Sequence, residues 1–282
     1  MITIVTPTYN RKVLVQRTIA SVLNQTYTDW QLIIVDDGST DGTEAALYTF
    51  LKDSRIEYIK KENSGQADSL NTGAANAKGE FLVFLDSDDE AYPNWLERIN
   101  LELQSNTGIV CAGAIRQFAD GTRIEEGMNE FYLFGQHYKL KFTCGSLFIR
   151  TAIFSAIKGY DITLRSNIQT DLGYRLLDYL RKTDLRIVVV NEYLVQINIH
   201  DGERIRTNWQ MRREGGIQFI NKHYNFICDN DRKEAANIFA SIAFASYKLN
   251  MRSESVSYVF KSIRHNPFRV LNYFRFFKYA FL

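Results

Sequence analysis

An α/β fold with a mainly parallel sheet and a helical C-terminal extension is the architecture this sequence predicts. Three observations lead there. Over the first hundred residues, short β-branched apolar runs alternate with segments whose apolar residues recur at helical spacing, the pattern of βαβ units. The first, second and fourth of these runs end in polar clusters, at the edge where open parallel sheets bind ligands. From Asn208 onward the pattern turns helical and stays so.

The elements follow in order. "ITIVT" reads as a buried strand, and "VLVQRTIASVLNQ" as a helix with Val15, Ile19, Val22 and Leu23 on one face. "WQLIIVDDG" is a second strand, and "STDGTEAALYTFLKD" a helix opened by cap-type residues. "RIEYIKK" is a third strand, "SLNTGAANAKG" a small-residue helix closed by Gly79, and "EFLVFLD" a fourth strand. The middle is less regular: strands around an Asp-Gly turn in "GIVCAGAIRQFADGTRIEEG", then a strand and short helix in "GSLFIRTAIFSAI". "TDLGYRLLDYLRK" is helical, and "LRIVVVNEYLVQINIH" forms one or two strands. Helices occupy the remainder until Pro267 interrupts them. A change of character near residue 205, though not a clear domain boundary, marks off an α/β region, 1–205, from a helical region, 206–282.

Composition narrows the classes. The chain has 282 residues, 45% of them apolar, enough for a real core rather than disorder. A formal net charge of +2 gives no general attraction to nucleic acid. Cys111, Cys144 and Cys228 are widely spaced and read as reduced packing residues of a cytosolic protein. No apolar stretch is long enough to span a bilayer, and "MITIVTPTYNRK" is too short a run for a signal peptide.

The stretch "EFLVFLDSDDEAYPNW" poses the chemical question. An apolar run passes directly into Asp86, Ser87, Asp88 and Asp89, and clustered like charges repel unless donors, water or a cation compensates them. One reading is a solvated turn that starts a helix. The other is a site for a hard divalent cation, Mn²⁺ or Mg²⁺, which carboxylates at a strand end suit. Three polar clusters at one sheet edge favour the second. Asp36 and Asp37 are placed to accept hydrogen bonds from a base or ribose, and Tyr9 to stack on the base. A Walker sequence and a dinucleotide fingerprint are both lacking. Asp171, at the start of a helix, is the candidate general base, although an aspartate there is favourable without any catalytic role. His200 ends an apolar run and is either a further metal ligand or a loop histidine beside the Asp201-Gly202 turn. His137, His223 and His265 read as structural.

Together "TPTYNR", "VDDGSTDGT", "AKGEFLVFLDSDD" and "QTDLGYRL" resemble the family 2 glycosyltransferases over about residues 1–200. The resemblance implies a GT-A (Rossmann-like) fold and an inverting transfer of sugar from a nucleotide-sugar, UDP being the commonest nucleotide. Carried over, Thr6, Tyr9, Asp36 and Asp37 are nucleotide contacts. Gly65 and Asn71 line the nucleotide pocket through "NSGQADSLNTG". Asp86 meets the ribose or sugar, Asp88 ligates the metal with Asp89 in support, and His200 stands where some members supply a further ligand. "KGYD", Lys158 to Asp161, matches a segment before the base Asp171. Many members carry Glu-Asp where this chain has Thr170-Asp171, a change that bears on acceptor or donor contacts. Two other classes compete. A nucleotidyltransferase would call for a basic glycine-rich loop near the N-terminus, for which "TPTYNRK" is poor. A non-catalytic sugar-nucleotide-binding or scaffold relative would not need Asp37, Asp86, Asp88 and Asp171 together.

The tail "KSIRHNPFRVLNYFRFFKYAFL" interleaves aromatics with Lys261, Arg264, Arg269, Arg275 and Lys278, and no acidic residue follows Glu254. It suits an interfacial helix on anionic lipid. Docking on the catalytic region or in a homodimer, with the cations snorkelling, is the other reading. The whole predicts a peripheral protein at the inner face of a bacterial membrane. There it would pass sugar to a saccharide or lipid-linked acceptor in surface polysaccharide synthesis.

Overall fold

The computed structural model describes residues 1–199 and 208–281, with the backbone alone for 280 and 281. The chain forms two compact units. The first comprises Met1–Asn129, Lys139–Ile162 and 169–199; the second comprises Glu130–Tyr138, Thr163–Ile168 and 208–281.

The first unit begins with β1 (Ile2–Thr8), α1 (Lys12–Leu23), β2 (Trp30–Asp36), α2 (Thr43–Leu47), β3 (Ile56–Lys60), α3 (Gln66–Ala75) and β4 (Phe81–Phe84). It continues with β5 (Glu90–Ala91), α4 (Trp95–Asn100), β6 (Thr107–Phe118) and β7 (Arg123–Glu126). Residues 129–140 form a separate hairpin of β8 (Asn129–Leu133) and β9 (Gln136–Leu140), most of which belongs to the second unit. The first unit resumes with β10 (Leu147–Arg150), α5 (Thr151–Ala156), α6 (Ile168–Leu180) and β11 (Arg186–Ile199). The main sheet has the order β3-β2-β1-β4-β10-β6-β11-β5, with β7 beside β6. Its first four strands are parallel, as helical crossovers require. β10 runs antiparallel to both β4 and β6, and β11 returns parallel to β6. The sheet is therefore mixed, as the sequence predicts, and its parallel half carries the site.

Every residue of β1 and β2 is buried, the state of parallel strands covered on both faces. Ile4, Ile19, Leu32, Val83, Trp95 and Phe148 belong to one apolar core. The small residues of α3 have a packing reason. A Cβ on Gly73 would lie 2.3 Å from Val5 Cγ1, so only glycine lets α3 approach β1 this closely. The Asp-Gly turn is also present: Gly121 has φ +87° and joins β6 to β7. Register puts Thr8 opposite Asp36, and Asp36 opposite Lys60. Tyr9, Asp37, Lys61 and the "DSDD" segment thus continue from the same edge of four parallel strands.

The second unit is built on α7 (Trp209–Asn230), α8 (Arg232–Lys248), α9 (Arg252–His265) and α10 (Val270–Phe281). Asn208 Oδ1 accepts from Met211 N (3.0 Å) and Asp231 Oδ1 from Lys233 N (2.9 Å), so α7 and α8 each start on a side-chain cap. Ser255 Oγ donates to Ala243 O (2.8 Å) and Ser262 Oγ to Ala236 O (2.6 Å), satisfying buried hydroxyls along the α8–α9 seam. The chain breaks at Asn266 and Pro267 before α10. Among the described residues, no helix is long and apolar enough to cross a membrane.

Candidate functional site

The acidic cluster follows β4 directly. One carboxylate oxygen each from Asp86, Asp88 and Asp89 lies within 4.8 Å of the others. Asp88 is 8% exposed and Asp89 4%, so the repulsion among them cannot be left to bulk water. Protein donors compensate part of it. Arg11 Nη1 stands 3.1 Å from Asp88 Oδ1. Gln66 Nε2 donates to Asp86 Oδ1 at 3.0 Å, and the Asn198 amide of β11 donates to Asp89 Oδ1 at 3.0 Å. Asn198 Nδ2 also donates to Asp88 O (2.8 Å), pinning the turn to β11. Three clustered carboxylates are a hard-oxygen donor set that fits Mn²⁺ or Mg²⁺. His200 lies outside the described residues.

The nucleotide candidates divide into groups with different surroundings. Tyr9 is about half exposed at the end of β1. Beside it Asn10 takes φ +51°, its amide donating to Ser39 Oγ (2.8 Å) and its Oδ1 accepting from Thr40 N (2.8 Å). Asp36 points inward instead: it is fully buried, accepting from Ser39 N (2.7 Å) and from the Tyr58 hydroxyl. Thr6 is likewise fully buried within β1, so the structure brings neither Thr6 nor Asp36 to the exposed ends where Tyr9 stands. Asn71 is occupied in a two-way amide clasp, donating to Tyr160 O (2.9 Å) and accepting from Tyr160 N (2.8 Å). That clasp secures the "KGYD" segment to α3.

Asp37 organises the loop before α3. Its Oδ1 accepts from Lys61 Nζ (2.8 Å) and Ser64 N (3.0 Å), and its Oδ2 from Gly65 N (2.9 Å). Gly65 has φ +96°, a conformation that favours glycine. Burial pushes the Asp37 carboxyl up, but the Lys61 hydrogen bond, the two amides and the Lys61 charge outweigh it and hold the group below its ordinary value. A lowered carboxyl contributes stability above the unfolded-state value near pH 4, and that stability is lost as pH falls through the lower folded value. Asp37→Asn is therefore expected to lower the melting temperature by a few degrees at pH 7, about 1–2 kcal/mol. The gap from the wild type should close towards pH 3. Melts with the same gap at pH 7 and pH 3 would refute the linkage.

Asp171 sits in the first turn of α6, fully buried. Its Oδ2 accepts from Arg175 Nε (2.9 Å) and Nη2 (2.6 Å), and Arg175 Nη1 donates to Ile157 O (2.6 Å). The α6 start is tied to the acidic cluster through side chains. Gln169 Nε2 donates to Cys144 Sγ (3.0 Å) and the Tyr160 hydroxyl donates to Gln169 Oε1 (2.9 Å). Burial, then the Asp86 charge and hydrogen bond, push the Cys144 thiol well above its ordinary value. Cys144 is thus a neutral thiol at the site, not packing alone. Arg11, Lys61, Cys144, Gln169 and Asn198 were not singled out from the sequence. Lys61 was within reach, since it follows a strand at the same edge as the aspartates. Cys144 and Asn198 meet the cluster across some 60 and 110 residues of chain, and nothing local marks them.

A family model described as "Glycosyl transferase family 2" matches residues 3–160. Glycosyltransferase GlyA of Streptococcus pneumoniae is 31% identical over 138 residues, 49% of this chain and 19% of that protein. Escherichia coli WfgD, a UDP-Glc:α-D-GlcNAc-diphosphoundecaprenol β-1,3-glucosyltransferase, is 40% identical over 108 residues, 38% of this chain and 42% of its own length. The matched segments thus span less than half of either relative. The crystal structure of residues 1–349 of S. aureus TarS with UDP-GlcNAc superposes with a TM-score of 0.65 at 16% identity, covering 99% of this chain and 89% of that one. Likeness at that identity concerns the fold, which is GT-A.

Proposed function

Because the chain belongs to glycosyl transferase family 2, we propose that it transfers a sugar from a UDP-sugar to a saccharide hydroxyl, inverting the anomeric carbon. The observation that carries this reading is the convergence of Asp86, Asp88 and Asp89 at the parallel edge that also holds Tyr9 and Asp37. WfgD, a transferase using UDP-glucose, and the TarS complex with UDP-GlcNAc support the UDP-sugar. WfgD also supports an acceptor saccharide on a lipid diphosphate. Such an acceptor puts the reaction at the inner face of a membrane, in surface polysaccharide synthesis. The donor sugar is a hexose or N-acetylhexosamine.

The family resemblance supplies a role for each residue in this reading. Tyr9 offers its exposed ring to the base, while Asp37 holds the Lys61–Gly65 loop and faces the base from that side. Gly65 leaves the backbone before α3 open. Thr6 and Asp36 shape the strand ends from within, and Asn71 fixes the "KGYD" segment beneath the acceptor side. Asp86 accepts from a ribose or sugar hydroxyl. Asp88, supported by Asp89 and His200, would hold Mn²⁺ or Mg²⁺, which when bound offsets the charge of the departing diphosphate. Asp171 takes the proton of the acceptor hydroxyl as that oxygen attacks C1 opposite the leaving group. The transition state has oxocarbenium character, and one displacement inverts the centre.

A panel of nucleotide-sugars with Mn²⁺ and with chelator tests the reading. The expected result is a metal-dependent thermal stabilisation by one donor, followed by release of its nucleotide when a saccharide acceptor is added. Metal-bound, folded protein that answers to no donor would sink the proposal and favour a non-catalytic relative.

A further inference from the structure

The last helix presents two apolar faces, and the protein itself covers one. Asn272, Phe276 and Tyr279 lie on the inner side of α10. Asn272 is fully buried and donates to Ser262 Oγ at 2.9 Å. Tyr279 is buried, with Phe276 packed beside it, in a small core with Ala243 and Val259, and stacks on Tyr247 at 4.4 Å between ring centroids. The tail is therefore anchored on the second unit, and its outer side is fixed by that anchoring. On that side Val270, Tyr273, Phe274 and Phe277 recur at i, i+3, i+4 and i+7, one continuous helical stripe. All four are exposed, Phe274 by 68% and Phe277 by 61%. Phe268, just before the helix, is 92% exposed, and Phe260 on α9 is exposed as well.

Charge decides what such a face meets. Residues 255–282 contain Lys261, Arg264, Arg269, Arg275 and Lys278 and no aspartate or glutamate. Lys261, Arg264 and Lys278 are exposed. A symmetric contact between two copies would bring this surface against itself, setting its exposed cations, Lys261, Arg264 and Lys278, against the same three with no carboxylate from residues 255–282 to pair them. A surface of anionic lipid headgroups supplies the missing charge, and its acyl boundary accepts the phenylalanines. We infer that the outer face of α10, with Phe268 and the basic groups of α9 and α10, docks the protein on an anionic membrane surface. The helix lies in the interface rather than crossing it, in keeping with its 12 residues. Docking needs neither donor nor metal, so it stands or falls apart from the transfer reaction.

The test uses the full chain, without nucleotide, and vesicles of phosphatidylcholine alone or with 30% phosphatidylglycerol. Wild-type protein should partition onto the anionic vesicles at least about tenfold better than onto neutral ones, and the difference should collapse in 0.5 M salt. Phe268→Ser with Phe274→Ser and Phe277→Ser should cost at least about tenfold on anionic vesicles. Because Phe277 also meets Phe276 at 6.1 Å between ring centroids, Phe268→Ser with Phe274→Ser alone is the variant that should leave the melting temperature unmoved. Arg264→Gln with Lys278→Gln should lose about 25-fold on anionic vesicles, roughly fivefold per charge, and little on neutral ones. Phe274→Trp gives a readout independent of partition: its fluorescence should shift to the blue with anionic vesicles. Wild-type protein that ignores anionic vesicles would overturn the inference. So would unchanged partition of the triple serine variant, or no spectral shift at position 274. Self-association abolished by the serine substitutions, without vesicle binding, would give the face to a second copy instead.

Discussion

Asp88→Ala is expected to abolish Mn²⁺-dependent donor binding and to slow sugar transfer about a thousandfold or more. That size follows from a cation's role at a departing diphosphate, where it stabilises several kcal/mol of developing charge. Asp88 is the member of the cluster whose loss is most informative. Asp89 is bound through Oδ1 to the Asn198 amide, and Asp86 through Oδ1 to Gln66. Removing either would therefore disturb the turn or a neighbouring side chain as well as a ligand. Asp88 pairs with Arg11, whose side chain is partly exposed and can leave.

That ion pair demands its own control, since Asp88→Ala removes an ion pair as well as a proposed ligand. Arg11→Ala removes the same pair and keeps the carboxylate. If the carboxylate is the ligand, Arg11→Ala binds Mn²⁺ at least as well as the wild type, while Asp88→Ala does not bind it. Calorimetric titration with Mn²⁺ and with nucleotide separates the cases. Undiminished metal-dependent affinity in Asp88→Ala would defeat the ligand assignment. Equal losses in both variants would make the ion pair, not the carboxylate, the feature that matters.

The same residues show what a sequence can and cannot disclose. Alternating strand and helix patterns located the parallel half of the sheet, because a buried parallel strand is a continuous apolar run of limited length. Polar residues after β1, β2 and β4 then had to share one edge. The direction in which each side chain points was not legible. In β1 and β2 every position is buried, so no alternation of polar and apolar residues marks a face. Thr6 and Asp36 therefore look equivalent to Tyr9 and Asp37, yet only Tyr9 stands open to solvent. The hairpin of β8 and β9 was missed for a related reason: its strands are short, partly exposed and turn at Phe134 and Gly135, both at positive φ. Arg175 was different. It stands four residues beyond Asp171, a spacing that pairs side chains on a helix, and could have been read as its partner.

That partner sharpens the second large effect. Asp171→Asn should leave donor affinity unchanged and lower transfer by about a hundredfold to ten-thousandfold, the range of a lost general base. Asparagine keeps the shape of the side chain and an oxygen for Arg175, but it cannot take up the acceptor proton. The structure offers a rival explanation, because Asp171 is buried and ion-paired, and Arg175 also holds Ile157 O. A purely structural aspartate would lose its effect through that pair. Arg175→Gln decides between them. It breaks the pair while leaving the carboxylate in place, so a base at 171 retains most of its transfer rate, and both variants show a lowered melting temperature. Transfer at the wild-type rate in Asp171→Asn would eliminate the residue as the base. Equal loss of transfer in Asp171→Asn and Arg175→Gln, following the loss of stability, would reduce Asp171 to an anchor for α6. The base would then have to be sought elsewhere on the acceptor side.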